Sequence, residues 1–211
     1  MIDMSVLERS RRGDVMIPYE RVAREAARLR YDESESYREY YHAKREAARR
    51  LGFDVLPANK DIFAYYQEIA DFREGKEARV ERLRQMREEA LEWMKLFEGF
   101  TPRLLGSVKR GDVTAKSDID LHVLVEDDYD DFIDFLDEQG IKYDYEIKEV
   151  RDPDEGIKDY HHVYVKKKFK CEITIYLINE YCPQTCSIFG EKIKGLTTKQ
   201  LARLIEKSNT D

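Results

Sequence analysis

The sequence is poor in cysteine, proline and glycine, and it contains no long apolar run. Three cysteines occur among 211 residues, namely Cys171, Cys182 and Cys186. So small and odd a number cannot form a disulfide framework, and we therefore expect a reducing cytoplasm. Cys182 and Cys186 have a spacing that could supply half of a zinc site. No second pair of Cys or His lies nearby, so ordinary free thiols are the preferred interpretation.

Membrane segments and an excess of positive charge are also missing. No segment approaches the roughly 20 apolar residues of a membrane helix. The charged start, MIDMSVLERSRRGD, lacks the apolar run of a secretory signal. The net charge is −7 and the isoelectric point is about 5.3. We therefore expect no membrane partner, and the absence of a global positive field disfavours long nucleic acid as a partner.

What the sequence does contain is typical of a folded protein. Hydrophobic residues make up 42% of the chain, and 14 Tyr and 9 Phe argue against intrinsic disorder. Apolar positions recur at three and four residues throughout the first half, which predicts helices. The predicted ranges are 18–30, 34–51, 59–72 and 76–97.

Strand patterns occur only after Gly99. Alternation predicts strands over 103–105, 118–125, 142–150, 161–167 and 170–178, with helices over 129–139 and 199–207. The expected fold class is therefore α+β. We predict an N-terminal helical bundle over 1–98 and, over 99–211, a small mixed β-sheet flanked by helices.

Two aspartates mark the second predicted strand. Residues i and i+2 of a strand point to the same face, so Asp118 and Asp120 should project two carboxylates together. Adjacent anions repel each other unless one is protonated or a cation lies between them. Hard divalent cations such as Mg²⁺ prefer oxygen ligands of this kind. The pair is therefore a candidate metal site.

Gly106 and Ser107 follow a short predicted strand and begin a probable helical turn. Backbone N–H groups at such a turn bind phosphate oxygens. Glycine lets the backbone approach an anion closely, and the serine hydroxyl can donate one further hydrogen bond. Lys109 and Arg110 follow and could neutralise phosphate charge. Together with the carboxylates, these residues fit a nucleoside triphosphate with bound Mg²⁺.

The whole run resembles the signature of the DNA polymerase beta-like nucleotidyltransferase superfamily. Its small members have G-S-x-x-[RG]-G followed by S-D-[IL]-D-[LF], and this sequence has GSVKRGDVTAKSDIDL from Gly106 to Leu121. The resemblance implies a nucleotidyltransferase domain over 99–211 and the corresponding sheet. It implies that Asp118 and Asp120 bind two Mg²⁺ ions. It also implies that the nucleotide is bound by Gly106, Ser107, Arg110 and Ser117.

Members of this superfamily need a third carboxylate on a neighbouring strand, where it binds metal and helps to activate the acceptor hydroxyl. Glu172 is the candidate, because it lies on the polar face of an otherwise apolar strand with Thr174 and Tyr176. The commoner residue at this position is Asp. Glu146, on the preceding predicted strand, is the alternative.

The resemblance implies an enzyme that transfers a nucleoside monophosphate from a triphosphate, with ATP as the expected donor, to an acceptor hydroxyl. The acceptor could be a small molecule, such as a cationic aminoglycoside, or a protein. A degenerate nucleotidyltransferase that only binds a nucleotide or a partner is the alternative. His122 shares a face with Asp120 and, like His161 and His162, is interpreted as a structural residue. The sequence leaves the oligomeric state open.

Overall fold

A computed structural model describes residues 17–32, 39–152, 156–181, 185–186, 188–192 and 194–208. Its contacts divide the chain into two compact units between residues 73 and 74, and residues 188–189 belong to the first unit. The predicted helix start near residue 34, and Cys182, lie outside the described residues. Among the described residues, no helix is both long and apolar enough to cross a membrane.

In its described residues the first unit contains three helices, which are α1 (Pro18–Asp32), α2 (Tyr40–Leu51) and α3 (Asn59–Glu74). Small side chains let α1 and α2 pack closely, since Ala26 and Ala43 are fully buried. Gly52 ends α2 in the left-handed conformation that glycine favours. Ile62 of α3 joins the same apolar cluster. The predicted N-terminal helices therefore form, with bounds within a few residues of those expected where the chain is described.

The second unit is built on a five-stranded sheet with the strand order β1-β2-β5-β4-β3. The strands are β1 (Arg103–Leu104), β2 (Ile119–Val125), β3 (Asp144–Asp152), β4 (Gly156–Lys166) and β5 (Lys170–Leu177). Strands β2 and β5 are parallel, and the other neighbours are antiparallel. Four helices accompany the sheet: α4 (Lys76–Leu96), α5 (Gly106–Arg110), α6 (Asp130–Glu138) and α7 (Thr198–Ser208). The predicted α+β class with a mixed sheet is confirmed.

One face of the sheet is apolar and the other is polar. Ile119, Leu121 and Ile173 are almost completely buried in a core that also contains Phe97 and Phe132. The alternate residues of the same strands lie on the opposite face, because side chains of a strand alternate between faces. These alternate residues include Asp120 and Glu172. The apolar pattern thus fixes which face carries the candidate site.

Helix α4 packs in the core of the sheet unit. Its Met86, Trp93 and Met94 are buried in the same apolar cluster as residues of the strands. By its contacts, the helix belongs to the second unit. The predicted domain boundary between residues 98 and 99 stays a prediction. By its contacts, the unit that contains the sheet begins at Glu74.

Candidate active site

Gly106 and Asp120 are in direct contact. The Leu105 N–H donates to the Asp120 carbonyl over 2.9 Å, which joins the end of β1 to β2. Gly106 then turns into α5 with a φ of +63°. A Cβ built on Gly106 would lie 1.6 Å from Asp120 Oδ2. Only glycine fits here, so the two halves of the sequence motif meet at one point.

The other nucleotide-binding candidates have different surroundings. Within the described part of the chain, the Ser107 hydroxyl has no hydrogen-bond partner, whereas its carbonyl accepts from the N–H groups of Gly111 and Asp112. Arg110 is paired with Asp112, with 3.0 Å between Nε and Oδ2. Ser107 is therefore available to a ligand, and Arg110 would have to leave Asp112 to reach one.

Ser117 shapes the loop that precedes β2. Its hydroxyl accepts a hydrogen bond from the Thr114 N–H over 2.9 Å, and its own N–H donates to the Thr114 carbonyl over 3.1 Å. Arg79 of α4 is buried and donates from Nε to the Val113 carbonyl over 2.9 Å. These bonds hold the segment that ends at Asp118. They give Ser117 a clear structural role beside its predicted role in nucleotide binding.

The strand register places Glu172 beside Asp120. In the parallel pair of β2 and β5, Asp120 is opposite Glu172 and His122 is opposite Thr174. Glu146 lies on β3, the edge strand, with β4 between it and β5. Its hydrogen bond comes from the Tyr164 hydroxyl over 3.2 Å. Of the two candidate third carboxylates, Glu172 is therefore the one next to Asp120.

Glu172 is held by two cationic or hydrogen-bonding groups. His162 Nδ1 donates to Glu172 Oε1 over 2.9 Å. Lys148 Nζ lies 3.7 Å from the same oxygen and donates to the Tyr164 hydroxyl over 2.6 Å. The His162 hydrogen bond, followed by the charge of Lys148, lowers the pKa of Glu172 to about 2. Glu172 is therefore a carboxylate at neutral pH.

Asp118 immediately precedes β2 and faces a lysine. Lys170 Nζ lies 3.5 Å from Asp118 Oδ2 and 4.5 Å from the centre of the Tyr164 ring. Tyr164 is the register partner of Glu172 on β4. The polar face thus combines three carboxylates with two ammonium groups and two histidines, His122 and His162. That composition suits a site that binds both a cation and a phosphate.

Residues 83–184 match the family model of the nucleotidyltransferase domain, which covers just under half of the chain. The chain carries a nucleotidyltransferase domain. The match begins within α4 and contains the whole sheet. The sequence-based prediction of this superfamily is confirmed at the level of the domain family.

Solved structures resemble the chain only in part. A structure of Cid1 in complex with the UTP analogue UMPNPP is 17% identical, over 44% of this chain and 30% of that chain, with a TM-score of 0.30. A structure of a cytoplasmic RNA terminal U-transferase is 20% identical, over 56% of this chain and 34% of that chain, with a TM-score of 0.25. The chain spans about a third of the length of these proteins. Similarity this partial does not indicate the substrates of this chain. No curated protein matches the chain.

The nucleotidyltransferase domain offers the right donor chemistry for a divalent cation. Asp118, Asp120 and Glu172 supply carboxylate oxygens, the ligands that Mg²⁺ prefers, and Gly106 leaves room for the Asp120 carboxylate. Across the described ranges, no group of three or more His, Cys, Asp or Glu side chains is arranged to hold a metal ion. Instead, Asp118 is paired with Lys170, and Glu172 is paired with His162 and Lys148. The donors fit the ion, but their present partners are the protein's own cations.

Sequence reasoning missed the groups that surround Glu172 in the nucleotidyltransferase domain. It treated the histidine pair as structural, whereas His162 contacts Glu172 and His161 stacks on Tyr129 with ring centres 3.7 Å apart. Alternation along the strand shows that only one of the two histidines can share a face with Tyr164. It does not show which carboxylate that histidine meets. Lys148 gave no signal, because an isolated lysine on a predicted strand is an ordinary surface residue. Lys170 ends a basic run over 166–170 that is typical of an exposed hairpin tip, and the run did not indicate a contact with Asp118.

His122 is a buried ionisable group on the polar face. Its side chain is 9% exposed, and its ring lies 4.7 Å from that of Tyr176 and 6.0 Å from that of Tyr181. Nδ1 is buried without a hydrogen-bond partner among the described residues. Burial, assisted by the charge of His162, lowers the pKa of His122 to about 4. The imidazole is therefore neutral at physiological pH.

Proposed function

We propose that this chain transfers a nucleoside monophosphate from a nucleoside triphosphate to an acceptor hydroxyl and releases pyrophosphate. The observation that carries the proposal is the contact between Gly106 and the Asp120 carboxylate, with Glu172 beside Asp120 in the sheet. This contact joins a segment suited to phosphate with a segment suited to a cation. The family match supports the reaction class.

In this proposal each residue of the site has a defined task. Gly106 and the free hydroxyl of Ser107 hold the β- and γ-phosphates. Asp118 and Asp120 hold Mg²⁺, which when bound neutralises phosphate charge and lowers the pKa of a bound hydroxyl. Glu172, an ionised carboxylate, orients the acceptor hydroxyl by accepting its hydrogen bond. Two ions are expected from the resemblance to the superfamily.

The transfer is a single displacement at the α-phosphorus. The acceptor oxygen forms a bond to the α-phosphorus, and the bond between that phosphorus and the oxygen bridging to the β-phosphate breaks. Pyrophosphate leaves with the electron pair of the broken bond. The acceptor proton passes to Glu172 or to solvent. Because the pKa of Glu172 is about 2, the carboxylate serves mainly to position the hydroxyl and only weakly as a base.

The acceptor is part of this proposal, and the charge near Glu172 affects which acceptors fit. The overall charge of −7 favours a cationic small molecule such as an aminoglycoside. The face around Glu172, however, carries Lys148 and Lys170, which offset part of the negative charge of the carboxylates. A neutral small alcohol or a protein hydroxyl therefore suits this face as well. ATP is the proposed donor. The cytoplasm is the proposed setting, and the free thiols of Cys171 and Cys186 support it.

The alternative is a nucleotide-binding module without catalysis. Two observations favour it: Glu172 stands where the superfamily commonly has Asp, and this carboxylate is already engaged by His162 and Lys148. Such a module would keep the contact between Gly106 and Asp120, and with it the binding of a triphosphate. Binding and transfer must therefore be measured separately.

The decisive experiment is a thermal-shift titration with ATP, GTP, CTP and UTP, with and without Mg²⁺. It compares the wild type with the Asp118→Asn, Asp120→Asn double variant. We expect one triphosphate to stabilise the wild type in a Mg²⁺-dependent way and to have no effect on the variant. Pyrophosphate release with cell extract as the acceptor source then tests transfer. Binding without release at any extract concentration supports the module, and no binding of any nucleotide contradicts both readings.

A further inference from the structure

Lys170 begins β5 and lies two residues before Glu172, so both side chains belong to the polar face. Its ammonium group is 3.5 Å from Asp118 Oδ2. It also contributes to the low pKa of Glu172, after His162 and Lys148. One lysine therefore interacts electrostatically with two of the three carboxylates of the proposed site.

Lys170 is restrained on one side by an aromatic ring. Its ammonium lies 4.5 Å from the centre of Tyr164, a distance at which a cation is attracted to the ring face. Tyr164 is opposite Glu172 in the register. The ring thus restrains the lysine next to the carboxylates. Lys170 is therefore held against Asp118 more firmly than a freely moving surface side chain would be.

Lys148 differs from Lys170 in how it is held. Lys148 reaches Glu172 at 3.7 Å but also donates to the Tyr164 hydroxyl over 2.6 Å and approaches Glu146 at 3.7 Å. Among the described residues, Lys170 has one ion pair, with Asp118, and its side chain is 48% exposed. Of the two ammonium groups, Lys170 is therefore the one that can leave its carboxylate for solvent.

A divalent cation and an ammonium group compete for the same carboxylate. Both are attracted to Asp118, and at a separation of a few ångströms they repel each other strongly. The described side chains include no other cation paired with Asp118. Binding of Mg²⁺ at Asp118 must therefore be coupled to the displacement of Lys170.

We propose that Lys170 is a displaceable counter-ion of the metal site, which neutralises Asp118 in the metal-free protein and lowers the affinity of the site for free divalent cations. The proposal rests on the assignment of Asp118 and Asp120 as metal ligands. It explains why the carboxylates form no ready metal group among the described residues. Metal that arrives without a triphosphate has to compete with the lysine.

The test measures Mn²⁺ binding to the whole, nucleotide-free chain from the electron paramagnetic resonance signal of free Mn²⁺. It compares the wild type with Lys170→Met and with Lys166→Met. Lys166 is exposed and lies directly opposite Lys170 in the register of β4 and β5, but it has no ion pair with Asp118. The control therefore removes the same charge from the same hairpin without removing the competitor.

We expect Lys170→Met to lower the Kd for Mn²⁺ about two- to fivefold, the effect of losing one partly exposed ion pair, and Lys166→Met to leave it nearly unchanged. Metal-free unfolding midpoints check that both variants fold, which the exposure of both side chains favours. In a parallel titration, Mn²⁺ should raise the unfolding midpoint of Lys170→Met more than that of the wild type.

The role of Lys170 and the proposed function can fail independently in these experiments. Mn²⁺ binding that depends on Asp118 and Asp120 but is equal in wild type and Lys170→Met overturns the inference and leaves the function standing. Binding by Lys170→Met alone supports the inference in its strongest form. An equal gain in Mn²⁺ affinity in Lys166→Met would show that the effect comes from the net charge of the hairpin, and this result overturns the inference. Failure of every protein to bind Mn²⁺ also overturns it, while the triphosphate titration still decides the function.

Discussion

The carboxylate of Asp120 occupies the space beside Gly106 that any other residue would need for its Cβ, at 1.6 Å from the ideal Cβ position. This contact explains the glycine in chemical terms. The residue is required for the close approach of a carboxylate as well as for its backbone conformation. Two sequence elements separated by a loop are thereby fixed to each other at the site.

Replacing Gly106 should therefore cost more than backbone strain alone. Gly140 has a φ of +64°, nearly the same as the +63° of Gly106, but nothing lies within 4 Å of its ideal Cβ. Gly140→Ala should lower the free energy of unfolding by about 1 kcal/mol through strain. Gly106→Ala should lower it by roughly 1–3 kcal/mol more, because Asp120 must move.

Urea denaturation of the two variants measures this difference, and thermal shift with the preferred triphosphate reports the site. Gly140→Ala should bind nucleotide as the wild type does, whereas Gly106→Ala should lose most of its binding. Equal destabilisation of the two variants would show that the Asp120 carboxylate has no fixed place beside the glycine.

Two serines of the motif should respond differently to removal of their hydroxyl. Ser117 accepts the Thr114 N–H, so Ser117→Ala should lower the free energy of unfolding by about 1 kcal/mol even without nucleotide. The Ser107 hydroxyl has no such bond within the described chain. Ser107→Ala should therefore keep its stability and lose nucleotide affinity severalfold. The reverse pattern, found by urea denaturation and nucleotide titration, would exchange the two roles.

Glu89 fastens α4 to the turn between β4 and β5. Its buried carboxylate accepts the N–H groups of Lys168 and Phe169, each over 3.2 Å. Glu89→Ala would leave two backbone donors without this partner, so we expect the free energy of unfolding to fall by roughly 1–3 kcal/mol. Glu88 is the matched control, because its side chain is 41% exposed and, within the described residues, its ion pair is with Arg84 of the same helix. Glu88→Ala should cost under about 1 kcal/mol, and a similar loss in both variants would contradict the prediction.

His122 should make the fold sensitive to mild acid. Its pKa is lowered from 6.5 to about 4 by burial, so the folded state keeps the imidazole neutral while the unfolded chain takes up a proton. The contribution is fully present above pH 6.5 and is lost as the pH falls towards 4, by up to roughly 3 kcal/mol. Denaturation between pH 7 and 4 should show a shallower decline for His122→Gln than for wild type. Parallel declines would mean that His122 is accessible to protons in the folded state.

The helices and most strands could be predicted because their signals are local. Helix α4 shows its apolar stripe at every turn, and β2 shows strict alternation, so each side chain's face follows from its neighbours in sequence. The early start of β4, at Gly156, was missed. Residues Lys158, Asp159 and Tyr160 lack an apolar alternation, and pairing with β3 extends the strand beyond its own signal.

The fold class, the polar face of β2 and the motif residues from Gly106 to Asp120 could be predicted from the sequence, because they depend on periodicity and on residues close together in the chain. The position of Glu172 rather than Glu146 beside Asp120, and the grouping of His162, Lys148 and Lys170 around the carboxylates, follow from the tertiary structure. Those neighbours depend on strand order and register. Both are set by packing of the whole sheet on its apolar face, and no local pattern encodes them.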